Sequence, residues 1–161
     1  MIKLVRCDDR MIHGQCIVRV LGDFAIQCII GVDNFTAANL VLKNIYQMAM
    51  PPQIKGGIYT EEEAIGEISQ RITGSENTLV LVKSPQTALK LFQAIDNLPK
   101  ELNIGPMSSR KNTRKATMYA YLSDEEIKAI DGIAGMGIRV YFNQVIDQKI
   151  DEWETIKANI K

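Results

Sequence analysis

Histidine and cysteine are scarce in this 161-residue sequence, which contains one histidine, His13, and three cysteines, Cys7, Cys16 and Cys28. A zinc centre needs several imidazole or thiolate ligands, so this supply argues against a bound metal. The cysteines form no Cys-x-x-Cys pair and are odd in number, which argues against a disulfide framework. We therefore predict reduced, mostly buried thiols, and we expect neither a metal nor another cofactor.

Neither sign of charge is in excess, because 19 basic residues balance 19 acidic ones. A protein that binds nucleic acid non-specifically usually carries a surplus of basic residues, so we predict no nucleic-acid partner. Long apolar runs are also missing: none approaches the roughly 20 residues that span a bilayer, and the N-terminus lacks the hydrophobic region of a signal peptide. These absences predict a cytoplasmic protein in which any anion site is local.

The composition that remains is typical of one globular domain, with 46% apolar and 24% charged residues. The length suffices for a hydrophobic core, and no repeat, low-complexity tract or linker divides the chain. We expect a single domain over residues 1–161 and leave open whether it forms a homo-oligomer. Trp153 and Ile156 could belong to the core or to an interface, and their apolar character favours the core.

Short apolar, β-branched runs alternate along the chain with segments of helical periodicity. The predicted strands cover residues 2–6, 27–32, 54–59, 78–83, 101–104, 116–122 and 138–145. The predicted helices cover residues 14–24, 36–50, 61–72, 85–95, 124 to about 135, and 151–160. This alternation predicts a doubly wound α/β domain, whose mainly parallel sheet of about seven strands carries helices on both faces.

Capping signals mark the start of three of the predicted helices. Thr60 with Glu63, and Ser123 with Glu126, have the spacing of capping boxes. Ser84 precedes a proline, which favours the first position of a helix. We therefore expect these side chains to bind the free amides of their helices.

His13 lies in the joint between the first predicted strand and the first predicted helix. Ligands of doubly wound domains bind at the carboxyl ends of the strands, and a helix N-terminus favours phosphate. Imidazole can act near neutral pH as a base, a metal ligand or a phosphoryl acceptor. Arg10 adds an anion-binding fork, and Gly14 allows the backbone to approach a ligand. His13 is the main candidate for chemistry, although a lone histidine is more often structural.

Several enzyme classes lack their motifs here, since neither GxxxxGK[ST], GxGxxG after the first strand, nor GxSxG occurs. Asp8 and Asp9 are adjacent and would point in opposite directions on an extended segment, so they should not form a carboxylate dyad. We expect them to orient His13 or Arg10, or to shape the loop. A phosphohistidine carrier needs only an accessible imidazole, a nearby arginine and backbone amides. We expect all three in this loop.

Residues 6–15, RCDDRMIHGQ, closely resemble the active-site signature of the IIB components of the mannose/fructose/sorbose class of the bacterial sugar phosphotransferase system. The similarity continues through residues 32–33, 48–51, 103–105, 107 and 144–145. It implies that His13 accepts a phosphoryl group on Nδ1 from a IIA partner and passes it to a sugar held by the membrane components IIC and IID. It also implies a phosphotransferase, of the EC 2.7.1 type, that is associated peripherally with its membrane transporter.

The matched signature places Arg10 beside His13 as the second catalytic residue. The residues expected to bind or support the phosphoryl group are Arg6, Asp8, Asp9, Gly14, Gln15 and Arg110. Residues 108–115 carry four basic side chains, which could form a solvated loop or a docking surface for phosphorylated IIA. Pro106 departs from the family pattern, because a second glycine is common at that position.

Two other functions stay open at this point. The scaffold could serve a non-catalytic domain that senses a phosphorylated sugar, which would accord with Pro106 and with the missing tryptophan of the first helix. His13 could also act as a general base on a small molecule. The sequence does not name the sugar, because specificity in the resembled family resides chiefly in the membrane components.

Overall fold

The computed structural model describes residues 1–145 and 148–161, with residues 15 and 16 described for their backbone only. The strands are β1 Ile2–Cys7, β2 Cys28–Val32, β3 Lys55–Tyr59, β4 Thr78–Val82, β5 Glu101–Ile104, β6 Arg114–Lys115, β7 Tyr121–Leu122, β8 Arg139–Phe142 and β9 Asp151–Glu152. The helices are α1 Gly14–Asp23, α2 Asn34–Ala38, α3 Leu40–Ala49, α4 Glu61–Arg71, α5 Pro85–Ala94, α6 Asp124–Gly135 and α7 Trp153–Asn159. None of these helices is long and apolar enough to cross a membrane.

The main sheet of the described residues has seven strands in the order β3-β2-β4-β1-β5-β8-β9. The pairings from β3 to β8 are parallel, and only β9 pairs antiparallel with its neighbour. The strand order reverses at β1, which lies between β4 and β5. The predicted doubly wound, mainly parallel α/β architecture is confirmed, and the first strand ends in the middle of the sheet.

Hydrophobic side chains fill both faces of this sheet. Along β1, Leu4 belongs to one buried cluster and Val5 to the other, as expected when successive side chains of a strand alternate between faces. Helices α1 to α3 contribute to the cluster of Leu4, whereas α4 to α7 contribute to the cluster of Val5. Trp153 and Ile156 of α7 are buried in the second cluster, so the prediction that they belong to the core is confirmed.

The strand predicted over residues 116–122 is confirmed only for residues 121–122, and it does not join the main sheet. The chain forms instead a small antiparallel hairpin from β6 and β7, outside the main sheet, with Met118 82% exposed between them. The seventh strand of the sheet is β9, which the sequence placed in the last helix. Two polar residues at a sheet edge carry no periodic signal, and only the pairing of Asp151 with Phe142 and of Glu152 with Tyr141 creates this strand.

Two further boundaries differ from the predictions. The helix predicted over residues 36–50 is broken at Asn39, which is extended and whose side chain accepts a hydrogen bond from Leu42 N at 3.1 Å. Asparagine competes for backbone groups in this way, so it starts a second helix in place of continuing the first. The last predicted parallel strand ends at Phe142, three residues earlier than expected.

The predicted helix caps are confirmed. Thr60 with Glu63, and Ser123 with Glu126, form complete capping boxes. Ser84 accepts a hydrogen bond from Thr87 N, with the proline at the first helical turn. These bonds satisfy amides that a helix start otherwise leaves free.

Gly56 and Gly57 in β3 give a test of the register between β3 and β2. Gly56 has φ +109°, and a Cβ there would lie 2.8 Å from the carbonyl carbon of Ile29, whereas a Cβ at Gly57 would meet only the side-chain oxygen of Gln47 at 3.0 Å. Replacing Gly56 by alanine should lower the free energy of unfolding by about 2–4 kcal/mol, because it adds backbone strain to a clash with backbone. Urea denaturation measures this loss, and Gly57→Ala is the control, with an expected change of about 1 kcal/mol or less. Equal losses for both variants would contradict the assigned conformation.

Candidate functional site

The loop that carries His13 is fixed on both sides by the strands next to β1. Asp8 N donates to Val82 O at 3.0 Å, at the end of β4. On the other side, Gly105 N donates to Cys7 O at 2.8 Å, and Asp9 N donates to Pro106 O at 3.3 Å. Pro106 is buried, and it contributes its carbonyl group to the loop even though it has no N–H to donate. The loop therefore begins from a rigid point at the carboxyl edge of the sheet.

A tight turn follows immediately. Met11 N donates to Asp8 O at 3.0 Å, and Arg10 N donates to the Oδ1 atom of Asp8 at 3.1 Å. Met11 has φ 57°, which is uncommon for a residue other than glycine. Its side chain is 1% exposed, and that of Ile12 is 4% exposed, so both anchor the turn in the core. This burial stabilises the unusual backbone conformation and presents His13 at the surface.

Asp8 holds the imidazole of His13 at one nitrogen. The Nε2 atom lies 3.1 Å from Oδ1 and 3.0 Å from Oδ2 of Asp8. Because a carboxylate only accepts hydrogen bonds, the proton of a neutral imidazole is assigned to Nε2, which leaves the lone pair on Nδ1. The side chain of His13 is 24% exposed, whereas that of Asp8 is 3% exposed. The histidine is therefore both oriented and accessible.

Arg6 lies behind Asp8 in the interior. Its Nη2 atom is 3.7 Å from the Oδ2 atom of Asp8, and the side chain is 2% exposed. The same guanidinium donates from Nη1 to the Oδ1 atom of Asn103 and from Nη2 to Gln144 O, the latter at 2.9 Å. Sequence reasoning had placed Arg6 among the residues that bind or support the phosphoryl group. The structure brings it to Asp8 and not to the exposed face of His13.

The N-terminus of α1 lacks the side-chain cap that α4, α5 and α6 have. His13 occupies the cap position with an extended backbone, but its side chain makes no capping hydrogen bond. The first turn of α1 has no acidic residue, and Gly14 begins the helix with φ +46°. The amides of this turn therefore receive no capping bond from His13, and a helix N-terminus of this kind favours an anion at the end where His13 lies. The predicted role of the Gln15 side chain lies outside the described residues.

Arg10 is the exposed cation of this loop. Its backbone is fixed by Asp8, but within residues 1–145 and 148–161 its guanidinium has no hydrogen bond or ion pair of its own. An arginine that is anchored at its backbone and free at its side chain can close over an anion bound at the histidine.

Asp9 contacts a different part of the molecule from Asp8. Its Oδ2 atom accepts a hydrogen bond from Ser108 N at 2.6 Å, which ties the histidine loop to the segment after β5. The two adjacent carboxylates thus have separate partners, as their spacing predicts. Asp8 supports the histidine directly, whereas Asp9 supports the loop.

Arg110 has a partner that the sequence did not suggest. Its guanidinium donates to both carboxylate oxygens of Glu126, at 3.0 and 2.9 Å, while its Nε atom donates to Ser108 O at 3.1 Å. The sequence predicts only a capping role for Glu126. Its buried carboxylate both accepts the capping hydrogen bond from Ser123 N and pairs with Arg110. In the same basic segment, Arg114 pairs with Asp124 at 2.6 Å. Half of the positive charge in residues 108–115 is therefore paired with the first turn of α6.

Sequence reasoning missed the polar side chains of Asn103 and Asn143. Both are buried, at 0% and 1% exposure, and Asn103 Nδ2 donates to Asn143 Oδ1 at 2.8 Å. The signal that could have indicated them is a polar residue inside a short apolar strand or directly after one, where an unpaired amide would be costly.

The described residues contain no group of three histidine, cysteine or acidic side chains that could hold a metal ion. Cys7 is fully buried at the end of β1, and burial, followed by the charge of Asp8, raises the pKa of its thiol well above the usual value. A thiol in such a place is a core side chain and not a nucleophile.

The sequence of this chain matches the model of a known protein family. Residues 2–161 match the model of the family described as "PTS system sorbose subfamily IIB component". The chain belongs to this family. It is therefore a IIB component of a phosphotransferase system, a class of transferase in sugar transport, as its active-site signature had indicated.

Several relatives show the same relationship. The fructose-specific EIIB component of Bacillus subtilis is 26% identical, and the alignment covers 99% of this chain and 97% of that protein. The N-acetylgalactosamine-specific enzyme IIB component 1 of Escherichia coli is 26% identical over 92% of this chain and 94% of that protein. The mannose-specific EIIAB component of Escherichia coli is 24% identical over 89% of this chain, which spans only 44% of that protein.

Solved structures share the fold of this IIB component. The IIB domain of the sorbose permease from Klebsiella pneumoniae superposes with a TM-score of 0.90 at 23% identity, covering 98% of this chain and 97% of that one. The manxB protein of Thermoanaerobacter tengcongensis gives a TM-score of 0.87 at 28% identity, covering 99% and 96%. The domain that contains the edge strand β9 and the short hairpin thus has the same overall chain path as these solved structures.

Thiol labelling tests the burial of Cys7 beside the site. Because its raised pKa keeps the thiol protonated near neutral pH, iodoacetamide should leave Cys7 unmodified in the folded protein and label it after unfolding in urea. Peptide mapping by mass spectrometry identifies the labelled cysteine, and Cys28, which is also buried and has a raised pKa, is the internal control. Labelling of Cys7 at the rate of an exposed thiol would contradict this arrangement.

Proposed function

We propose that this IIB component carries a phosphoryl group on the Nδ1 atom of His13. The donor is the phosphohistidine of a IIA protein, and the acceptor is a hydroxyl group of a sugar taken up through IIC and IID. The observation that carries the proposal is the pair of contacts, 3.0 and 3.1 Å long, between Asp8 and the Nε2 atom of His13. They support a fixed imidazole that, in its neutral form, carries its proton on Nε2 and its nucleophilic lone pair on Nδ1.

The chemistry proceeds as two displacements at phosphorus. The Nδ1 lone pair attacks the phosphorus atom of the donor, an N–P bond forms on His13, and the donor's N–P bond breaks with its electron pair returning to the donor imidazole. In the second step the sugar oxygen attacks, the N–P bond of His13 breaks, its electron pair returns to Nδ1, and the hydroxyl proton passes to solvent. Neither step requires a metal or a nucleotide held by this chain.

Asp8 has an electrostatic role in both steps. The Nε2 proton stays in its hydrogen bond, so accepting the phosphoryl group needs no proton transfer from the ring. The phosphorylated ring carries positive charge, which the nearby carboxylate of Asp8 stabilises. Arg6, at 3.7 Å from Asp8, balances the charge of that carboxylate before the phosphoryl group arrives.

Arg10 and the amides at the start of α1 provide the contacts for the phosphoryl oxygens. Charge in phosphoryl transfer is spread over these oxygens, so an exposed guanidinium and fixed backbone N–H groups can stabilise the transition state. Gly14, the first residue of α1, supplies one such amide. Gln15 keeps its predicted supporting role.

Asp9 and Arg110 support the site indirectly in this proposal. Asp9 binds Ser108 N, and Arg110 binds Ser108 O and Glu126, so the two residues hold the segment after β5 against the histidine loop. The exposed Lys111 and Lys115 leave positive charge on this segment, which favours the approach of a phosphorylated, anionic partner.

We expect the phosphoryl transfer to take place in the cytoplasm, in contact with the membrane components. The substrate class is a sugar, since the relatives are named for several different sugars.

Replacing His13 by alanine should abolish acid-labile phosphorylation, because the chain has no other imidazole. The protein is incubated with phosphoenolpyruvate, the general phosphotransferase proteins and a IIA protein, and the labelled residue is then mapped. Circular dichroism confirms that the variant is folded. Label that persists in His13→Ala would overturn the assignment, and a sugar phosphate that binds a protein unable to accept label would favour the sensing function.

Replacing Arg10 by alanine should leave the fold intact and slow phosphoryl transfer about 10- to 100-fold. This range corresponds to the loss of a charged hydrogen bond worth about 1.5–3 kcal/mol. Arg19→Ala, which removes the same charge from the exposed side of α1, is the matched control and should change the rate less than threefold. Single-turnover kinetics with phosphorylated IIA measure both rates. Equal effects of the two substitutions would show that only net charge matters.

A further inference from the structure

A buried chain of polar side chains leads from the histidine loop across three strands. Arg6 contacts Asp8 at one end and Asn103 at the other, and Asn103 in turn contacts Asn143. The contact of Arg6 with Asn103 is a cross-strand one, because the two residues are partners in the register of β1 and β5. This chain explains how a charged side chain with 2% exposure is accommodated in the sheet.

The direction of the Asn103 amide is determined by its two neighbours. Arginine has only donors, so the group that faces Nη1 of Arg6 must be the oxygen of Asn103. The nitrogen then donates to the Oδ1 atom of Asn143 at 2.8 Å. Asn143 itself is fixed to the sheet, since its backbone N–H donates to Ile104 O at 3.1 Å. Asn103 is therefore held in one orientation, with its acceptor toward Arg6.

Gly105 leaves the space that Arg6 occupies. A Cβ atom at this position would lie 2.6 Å from Cζ of Arg6, well inside contact distance. The guanidinium is thus confined by Asn103, by the backbone of Gly105 and by Gln144 O, at 2.9 Å from Nη2. These contacts hold the guanidinium in one position beside Asp8. Two of the groups that form them, the Asn103 side chain and the Gly105 backbone, lie on the segment of residues 103–105.

We propose that Asn103 is a positioning residue for phosphoryl transfer. It holds the guanidinium of Arg6 at 3.7 Å from the Oδ2 atom of Asp8, which fixes the position of the carboxylate that faces Nε2 of His13. Asp8 then keeps the proton of His13 on Nε2. The consequence for transfer rates rests on the function proposed above, whereas the consequence for the imidazole does not.

The imidazole of His13 can be observed directly, because it is the only one in the chain. In protein labelled with ¹⁵N in histidine, the nitrogen chemical shifts report which ring nitrogen carries the proton. The wild-type protein should show the Nε2–H form of the neutral ring. Asn103→Ala should shift the ring toward a mixture of the two neutral forms and slow single-turnover phosphoryl transfer about tenfold, with the KM for phosphorylated IIA unchanged within about twofold.

Two further variants separate positioning from general stability. Asn103→Asp loses the donor to Asn143 but keeps an oxygen acceptor for Arg6, so it should retain the Nε2–H form, with a transfer rate within about threefold of the wild type. Gly105→Ala moves the guanidinium without altering Asn103 and should reproduce the signature of Asn103→Ala. Gly105→Ala therefore carries the same test if Asn103→Ala does not fold.

Asn77→Ala is the matched control. Asn77 donates from its side chain to Ala25 O at 3.2 Å and precedes β4 at the opposite edge of the sheet. Its replacement also removes hydrogen bonds of an asparagine side chain, here to the carbonyl groups of Phe24 and Ala25, so it should lower stability in urea and leave the imidazole signals unchanged. Asp8→Ala, which removes both acceptor oxygens from Nε2, is the positive control for loss of the Nε2–H form.

The outcomes are distinct. If folded Asn103→Ala and Gly105→Ala both keep the wild-type imidazole shifts, Asn103 has only a structural role and the proposal is overturned. If the shifts respond as expected while wild-type protein accepts no phosphoryl group, the positioning role stands and the proposed function fails. A shift change in Asn77→Ala of the same size would also overturn the proposal, because it would trace the signal to stability alone.

Discussion

The hydrogen bond between Asp8 and the Nε2 atom of His13 is the interaction on which the site depends. It orients the imidazole ring, assigns the ring proton to Nε2 and leaves Nδ1 free. Each neighbouring element contributes to it, since Asp8 is held by β4 and by the turn through Met11. A carboxylate with 3% exposure needs such partners, because removing it from water is costly without them.

The sheet order explains why this site lies where it does. With β4 on one side of β1 and β5 on the other, the loop after β1 is bonded to both neighbours. The reversal of strand order also directs the helices after β1 and β4 to opposite faces, so the loop is open above the sheet. Arg6 belongs to the interior of the sheet and Arg10 to its open edge. The two arginines of the signature, four residues apart, therefore act in different places.

Much of the fold follows from local pattern. The parallel strands are buried on both faces, so their apolar runs are visible in the sequence, and the capping residues mark the helix starts. The hairpin of β6 and β7 and the edge strand β9 were not predicted, because each is short and defined by its pairing partners. The break at Asn39 was not predicted, because a single asparagine interrupts an otherwise helical pattern. The same holds within the site. His13 and Arg10 stand out in the loop, whereas the pairing of Arg110 with Glu126 joins segments that have no common pattern.

Three features can be read directly along the chain: the alternation of strands and helices, the position of the histidine between the first strand and its helix, and the family signature around it. These features depend on residue type, spacing and order along the chain. The assembled fold was needed to establish which nitrogen of His13 is free, that Arg6 faces inward, and that Asn103 and Asn143 support it. The reason is that β1, β5 and β8 are distant in sequence and adjacent in the sheet, so their polar side chains acquire partners only when the strands assemble.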